Sequence, residues 1–328
     1  MVGHEWAVDM LAGHVAYGRE RHAYLLTGPQ GVGKRTLALH FAQSLNCPNP
    51  RVPGEPCGVC SSCKRFESMQ HPDLTVVEAE QVGGVLRIDQ VREMQHNLAL
   101  APYEAKYRVA LVLRFEEANT SAANAILKTL EEPPPQVVVI LTTNSAEHLL
   151  STIVSRCEVL RLRPLSVDET STGLQSIKGI PEEVANQLAH ISGGRPGYAI
   201  RLYQRPELLE QRQSWLEEMF LILGSSRRDR FALAVELSRD SEELRNKLHV
   251  WITLWRDVLL RSTGITDSIT NLDQSSQVIE LAEQIRLRDA QNYIRSIETT
   301  LDRMDHNVNT RLALEVLLMD FPRINISV

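Results

Sequence analysis

The stretch GPQGVGKRT, residues 28–36, constrains this chain more than any other segment. Gly28, Gly33 and Lys34 fall at the G-x-x-x-x-G-K spacing of a phosphate-binding loop, with Gly31 as a further glycine inside it. Glycine suits such a loop because it takes positive φ and lets backbone N–H groups approach phosphate closely. The apolar run HAYLLT, residues 22–27, predicts a buried strand before the loop. RTLALHFAQSL, residues 35–45, predicts a helix after it, with Leu37, Phe41 and Leu45 on one face. Strand, glycine loop, helix is the setting a phosphate site needs, since the helix start adds its own positive end. Lys34 would then reach the β- and γ-phosphates of a nucleotide.

The position after the lysine normally carries the hydroxyl that holds Mg²⁺, and here it is Arg35. A guanidinium only donates and is permanently charged, so it cannot ligate a cation. Thr36 has a hydroxyl, but one residue along a helix turns a side chain by about 100°. The loop residues Gly28, Gly31, Gly33, Lys34 and Thr36 therefore describe an ATP-type site with its metal ligand missing. An acid is also expected at the end of a buried strand, to orient Mg²⁺. The strand VALVL, 109–113, ends in Leu113 followed by Arg114. Glu116 and Glu117 come two or three residues later and read as solvated charges on a loop. Two Mg²⁺ functions are absent together, which predicts that hydrolysis has been given up. Whether ATP still occupies the loop is left open by the sequence.

Further along, DLTVVEA (73–79), YRVALVL (107–113) and QVVVILTT (136–143) predict strands. IDQVREMQHNLAL (88–100) and TSAANAILKTLEE (120–132) predict helices, the second stopped by Pro133–Pro135. Strands alternating with helices imply a parallel sheet covered on both faces. After about residue 165 strand signals cease. PEEVANQLAHISGG (181–194) predicts a helix ended by glycines, and long amphipathic patterns follow from Pro206, including an unbroken one from Gln277 to Met304. The expected organisation is an α/β domain over 1–165, a small helical domain over 166–205 and an all-helical domain over 206–328.

Residues 46–66 are different in kind, dominated by Pro, Gly and Cys with neither helical nor strand period. Cys47, Cys57, Cys60 and Cys63 lie x9, x2, x2 apart. Four thiolates satisfy tetrahedral Zn²⁺ and leave no place for water, so the site would be structural. With nothing else to form a core, the metal would supply the folding energy. An iron–sulfur cluster is the chemical alternative. His71, in HPD, reads as a strand lead-in and not as a ligand.

Several segments together resemble the bacterial DNA polymerase III clamp loader, of the AAA+ class, and within it the delta-prime subunit. They are HAYLLTGPQGVGKRTLA, HPDL (71–74), IDQVREM, NAILKTLEEPPP, LLSTIVSRCEVLRLRPL (149–165) and, more weakly, NVNTRLALEVLL (307–318). The resemblance implies an AAA+ α/β domain, a helical lid and a helical collar for oligomerisation. It implies a heteropentamer with gamma/tau motor subunits and a delta subunit, which opens a sliding clamp and places it on primed-template DNA. It places an arginine finger at Arg156, in Ser155-Arg156-Cys157, acting in trans on a neighbour's ATP. Family members of this type commonly have degenerate nucleotide motifs, which fits Arg35, Leu113 and Arg114. Thr142 and Thr143 resemble the sensor position, while Arg195 is offset from the second sensor, which would fall nearer Gly197. Cys157 then reads as a small buried residue. The zinc module is likewise typical of the family.

The bulk numbers restrict the alternatives. Net charge is −6 and pI about 6.0, against a chain that neutralises phosphates over a broad face. Lys64, Arg65, Arg87 and Arg92 are basic, and the start of helix 88–100 could meet a phosphate, but no aromatic–basic stripe suited to single strands exists. No apolar run approaches 18 residues and no secretory signal is visible, which predicts a cytoplasmic protein without a membrane span. Two rival readings stay open. One is an ATPase in its own right using Thr36 with Glu116 or Glu117; the other is a zinc-dependent DNA-binding module.

Overall fold

The computed structural model describes residues 2–81, 83–265, 269–305 and 308–324. Asn307, at the head of the last quoted segment, lies outside them. The chain forms two compact units, Met1–Gly179 with Gly194–Tyr198, and Ile180–Gly193 with Ala199–Val328.

The first unit runs α1 (Glu5–Ala16), β1 (Ala23–Thr27), α2 (Lys34–Asn46), α3 (Ser61–Glu67), β2 (Leu74–Val77) and α4 (Ile88–Leu98). It continues through β3 (Arg108–Val112), α5 (Thr120–Glu131), β4 (Val137–Thr143), α6 (Ser151–Val154), β5 (Glu158–Arg161) and α7 (Val167–Lys178). All strand pairs are parallel, in the order β2-β3-β4-β1-β5. Every residue of β1 and β4 is buried, as expected for strands covered on both faces. On one face Tyr24 and Leu26 of β1 meet Leu37 and Phe41 of α2 and Leu11 of α1. On the other, Leu25 meets Met94 of α4 and Ile126 of α5. The alternation along one strand thus builds two cores.

Local chemistry sets the element ends. The Asn119 side chain accepts the Ala122 N–H at 2.8 Å and starts α5. Proline at 133 follows its last turn. β1, α2, β2, α4, β3, α5 and β4 form where the sequence predicts them. α1, α3, α6, β5 and α7 are additional.

The second unit is helical. It comprises α8 (Glu182–Ser192), the later part of α9 (Pro196–Gln204), α10 (Glu207–Gly224), α11 (Arg227–Leu237), α12 (Ser241–Ser262), α13 (Ser275–Gln284), α14 (Leu287–Asp305) and α15 (Thr310–Asp320). Gly193, at φ 58°, ends α8 in the left-handed cap the glycines predict. The pattern from 277 to 304 is not one helix. It breaks at Ile285, an extended residue whose side chain is buried, so that α13 and α14 both pack on α12. Trp251, Trp255, Ile297, Leu314 and Phe321 centre the core, with Trp255 stacked on Phe321 at 5.8 Å. No helix among the described residues is long and apolar enough to cross a membrane.

Candidate functional site

The glycine loop joins the end of β1 to α2. Gly28, Gly31 and Gly33 all have positive φ, at 144°, 85° and 114°. A Cβ on Gly28 would come within 2.2 Å of the Leu162 carbonyl oxygen, so side chains are excluded there for space as well as for conformation. The Gly28 N–H donates to the Thr143 carbonyl at 3.2 Å, and the Gly197 N–H donates to the Gly31 carbonyl at 2.8 Å. The loop is therefore tied both to β4 and to the start of α9. Tyr198 packs directly on Gly31, and the Arg195 guanidinium lies 4.7 Å from the Tyr198 ring centroid.

Lys34 turns inward. Its ammonium donates to the carbonyls of Gly28 and Pro29, the latter at 3.2 Å, and to Asn144 Oδ1 at 3.1 Å. Burial pushes its pKa down to about 8, with Glu116 working in the opposite direction. Arg35 and Thr36 are both exposed on the first turn of α2.

The end of β3 carries no acid. Leu113 is buried, and Arg114 takes a left-handed conformation at φ 50°. Its N–H donates to Thr142 Oγ1 at 3.0 Å. Its guanidinium binds Glu117 at 2.9 Å and Glu78 at 2.8 Å. Glu116 and Glu117 are thus not the solvated loop charges expected from their spacing. They sit on a single 3-10 turn, Phe115–Glu117, that folds back against the sheet end. Glu117 is committed to Arg114 and to the Gly83 N–H at 2.8 Å. Glu116 Oε1 accepts the Asn144 N–H at 3.3 Å, while its Oε2 is buried without a hydrogen-bond partner among the described residues. Thr142 and Thr143 are buried, and Thr143 Oγ1 donates to the Ser145 carbonyl at 3.0 Å.

Ser155-Arg156-Cys157 follows α6 directly. The Arg156 guanidinium donates to the Thr152 carbonyl at 2.8 Å and pairs with Glu131, from the last turn of α5, at 2.8 Å. The Arg156 side chain remains 36% exposed with both of its terminal nitrogens engaged. Burial pushes the Cys157 thiol up to about 12, which keeps it protonated and removes it as a nucleophile.

Cys47, Cys57, Cys60 and Cys63 converge, with all four Sγ atoms within 4.8 Å of one another and Cys57 and Cys63 at 4.0 Å. Tetrahedral Zn–S bonds of about 2.3 Å place sulfurs roughly 3.8 Å apart, so the cluster has the size a metal ion needs. The sulfurs also accept backbone N–H groups, from Cys57 to Cys47 at 3.3 Å and from Cys63 to Cys60 at 3.4 Å. Hydrogen bonds from the Val59 and Cys60 backbone lower the Cys57 thiol to about 6, and burial raises that of Cys63. This donor set can hold a metal ion. α3 grows out of it, with the Gln43 side chain of α2 donating to the Cys63 carbonyl at 2.8 Å.

His71 is outside the cluster. It stacks on Phe66 at 4.0 Å and contacts Glu104 through Nε2 at 3.2 Å, and Glu104 also binds Arg65. Asp73 beside it accepts N–H groups from Tyr103, Glu104 and Ala105 at 2.7–2.9 Å. Arg65 and Arg92 are thus paired, Arg92 with Asp89 at 3.8 Å. Sequence reading missed Asp73, Glu104, Glu131 and Asn144, because each acts on a residue distant in the chain.

Residues 3–166 match the family described as DNA polymerase III, delta subunit, and residues 206–323 match its C-terminal part. The chain is 37% identical to DNA polymerase III subunit delta' of Pseudomonas aeruginosa over 58% of its own length, but spans only 60% of that protein. It is 30% identical to the Escherichia coli delta' subunit, over 82% of this chain and 78% of that one. The Bacillus subtilis delta' subunit is 26% identical over 95% and 94% of the two chains. Among solved structures, a DNA polymerase III gamma subunit-related protein of Thermotoga maritima aligns over 95% of this chain and 97% of that one, at 19% identity and a TM-score of 0.47. The chain belongs to the DNA polymerase III delta' family of clamp-loader subunits.

Proposed function

We propose that this chain is a non-hydrolysing subunit of a replicative clamp loader, which braces the ring and lends Arg156 to the ATP site of a neighbouring motor subunit. The observation that carries the reading is a contrast within one unit. A partly exposed guanidinium, held by Glu131, stands at Arg156, while Arg35, Leu113 and Arg114 stand where Mg²⁺ would have to be gripped. A γ-phosphate spreads negative charge over its equatorial oxygens in the transition state, and an arginine supplied in trans stabilises it by about 10³- to 10⁵-fold in rate. Gamma/tau motor subunits and a delta subunit are the proposed partners, the sliding clamp and primed DNA the proposed targets, and the cytoplasm the proposed location.

In this reading residues 166–205 form the lid and 206–328 the collar through which the ring assembles. The four cysteines hold a structural Zn²⁺ that supplies folding energy to residues 46–66 and no chemistry. ATP in the loop is not required.

Arg156→Ala in the reconstituted complex tests the proposal. DNA-stimulated ATPase at the adjoining site should fall by about 10³ or more, with assembly and zinc content unchanged. Unaltered ATPase would exclude the finger. Mg-ATP turnover by the isolated chain, abolished by Lys34→Ala, would instead favour an autonomous ATPase.

A further inference from the structure

The phosphate loop has a counter-anion of its own. In an occupied loop the lysine ammonium spends its donors on phosphate oxygens. Here Lys34 has three protein acceptors, the carbonyls of Gly28 and Pro29 and Asn144 Oδ1, which match the three hydrogens of an ammonium. Asn144 links two charges, since its side chain accepts from Lys34 while its backbone N–H donates to Glu116 Oε1 at 3.3 Å. Glu116 reaches this place because Arg114 takes a left-handed turn and the 3-10 turn that follows carries residue 116 back toward β4. Its neighbour Glu117 is spent on Arg114, whereas Glu116 makes no direct ion pair with Lys34 and is linked to it through Asn144.

Glu116 Oε2 is buried and has no hydrogen-bond partner among the described residues. A carboxylate oxygen withdrawn from water without a donor is costly unless a nearby positive charge compensates it. The Lys34 ammonium, bonded to the same Asn144, supplies positive charge on that side, and the Glu116 carboxylate works against the burial that lowers the lysine's pKa.

We propose that Glu116 determines whether the loop accepts a polyphosphate: its carboxylate neutralises Lys34 from within and repels an incoming anion. The inference rests on the reading of the loop as idle and supplies a physical cause beyond the missing Mg²⁺ ligands. A triphosphate must break the three lysine contacts and then sit beside a fixed negative charge. At an effective dielectric near 20, like charges within about 10 Å of each other repel strongly enough to weaken binding by about tenfold or more.

The test is ATP binding to the full-length chain by calorimetry, in chelator-free buffer without added Mg²⁺, so that no Mg²⁺ bridges the charges and the cysteine module keeps its metal. Glu116→Gln keeps the size of the side chain and an acceptor for the Asn144 N–H. It should bind ATP at least tenfold more tightly than the unaltered chain. Glu117→Gln, which changes net charge equally but faces Arg114, should show no such gain. Inorganic pyrophosphate should follow the same pattern, since the effect concerns phosphate charge and not the base. Equal or weaker binding by Glu116→Gln, or an equal gain from Glu117→Gln, would overturn the proposal. No partner subunit enters the measurement, so its outcome is independent of the arginine-finger test.

Discussion

Arg156 and Glu131 form an ion pair at 2.8 Å between the turn after α6 and the last turn of α5. The pair joins the two segments that most strongly carry the family resemblance, NAILKTLEEPPP and STIVSRC. It orients the guanidinium without burying it. Exposed pairs of this kind contribute about 0–1 kcal/mol to stability, because water screens both charges. Glu131→Gln should therefore change the unfolding free energy by less than about 1 kcal/mol, read from urea denaturation. A larger loss would mean that the pair is a structural clamp and that Arg156 is less free to leave it than its exposure indicates.

The cysteine cluster makes a separate prediction. Within residues 46–66 the buried apolar side chains are those of Cys63 and Phe66, so in the proposed reading metal ligation holds the module. Cys60→Ser should abolish zinc in the purified chain, measured by metal analysis. Hydrogen exchange should accelerate in residues 47–67, while amides of the central strands, such as Val112 and Leu141, keep their protection. Retention of full zinc by the variant would mean that fewer than four sulfurs suffice.

Asp73 predicts an acid-sensitive first unit. Burial opposes its charge, but N–H groups of Glu104, Tyr103 and Ala105 and the Arg108 guanidinium outweigh this and hold its carboxyl below the usual range. A carboxylate whose folded pKa is depressed stabilises the fold above its unfolded pKa, about 3.9, and loses that contribution as pH falls through the folded value. The sign is therefore lower stability in acid. Asp73→Asn should be less stable than the unaltered chain at neutral pH, by about 1–3 kcal/mol. The gap should close below about pH 4. A gap that stays constant with pH would place the effect in side-chain shape and not in charge.

These residues mark what could be read from the sequence. β4 was legible because VVVILTT has to be buried on both faces, and α5 because Pro133 stops it, whereas its Asn119 cap shows only in the structure. The positive-φ glycine loop and the convergence of the four cysteines were legible from residue spacing alone. Glu116 was not, since its direction depends on one left-handed residue, Arg114, that spacing does not reveal. Nor was the break at Ile285, where the periodic pattern continues but burial against α12 requires two helices. α1 lies in a segment read only for targeting signals. α3 begins where the Cys60 sulfur accepts the Cys63 N–H, a cap that helical period does not reveal.

Arg230 gives the strongest stability prediction in the second unit. It is 4% exposed, and its hydrogen bonds to the described residues all go to backbone carbonyls. Its Nε donates to Ile222 O at 3.0 Å and its Nη2 to Leu223 O at 3.2 Å, both in the last turn of α10. Its Nη1 reaches Leu318 O at 2.9 Å and Phe321 O at 2.6 Å, and Nη2 reaches Pro322 O at 2.6 Å. The last carbonyls of a helix have no partner within it and carry its negative end, so one guanidinium caps the ends of both α10 and α15. Ile222 O and Leu223 O keep the N–H groups of Ser225 and Ile324, but removing Arg230 takes the guanidinium from the carbonyls of Leu318, Phe321 and Pro322. Arg230→Met, which retains much of the volume, should cost about 3–5 kcal/mol. Arg230→Lys should recover only part, because an ammonium lacks the planar fork that reaches five acceptors. Fluorescence-detected urea unfolding reads this directly, since Trp251 and Trp255 lie in the same core. A cost below about 1 kcal/mol would mean that water replaces the guanidinium at those carbonyls.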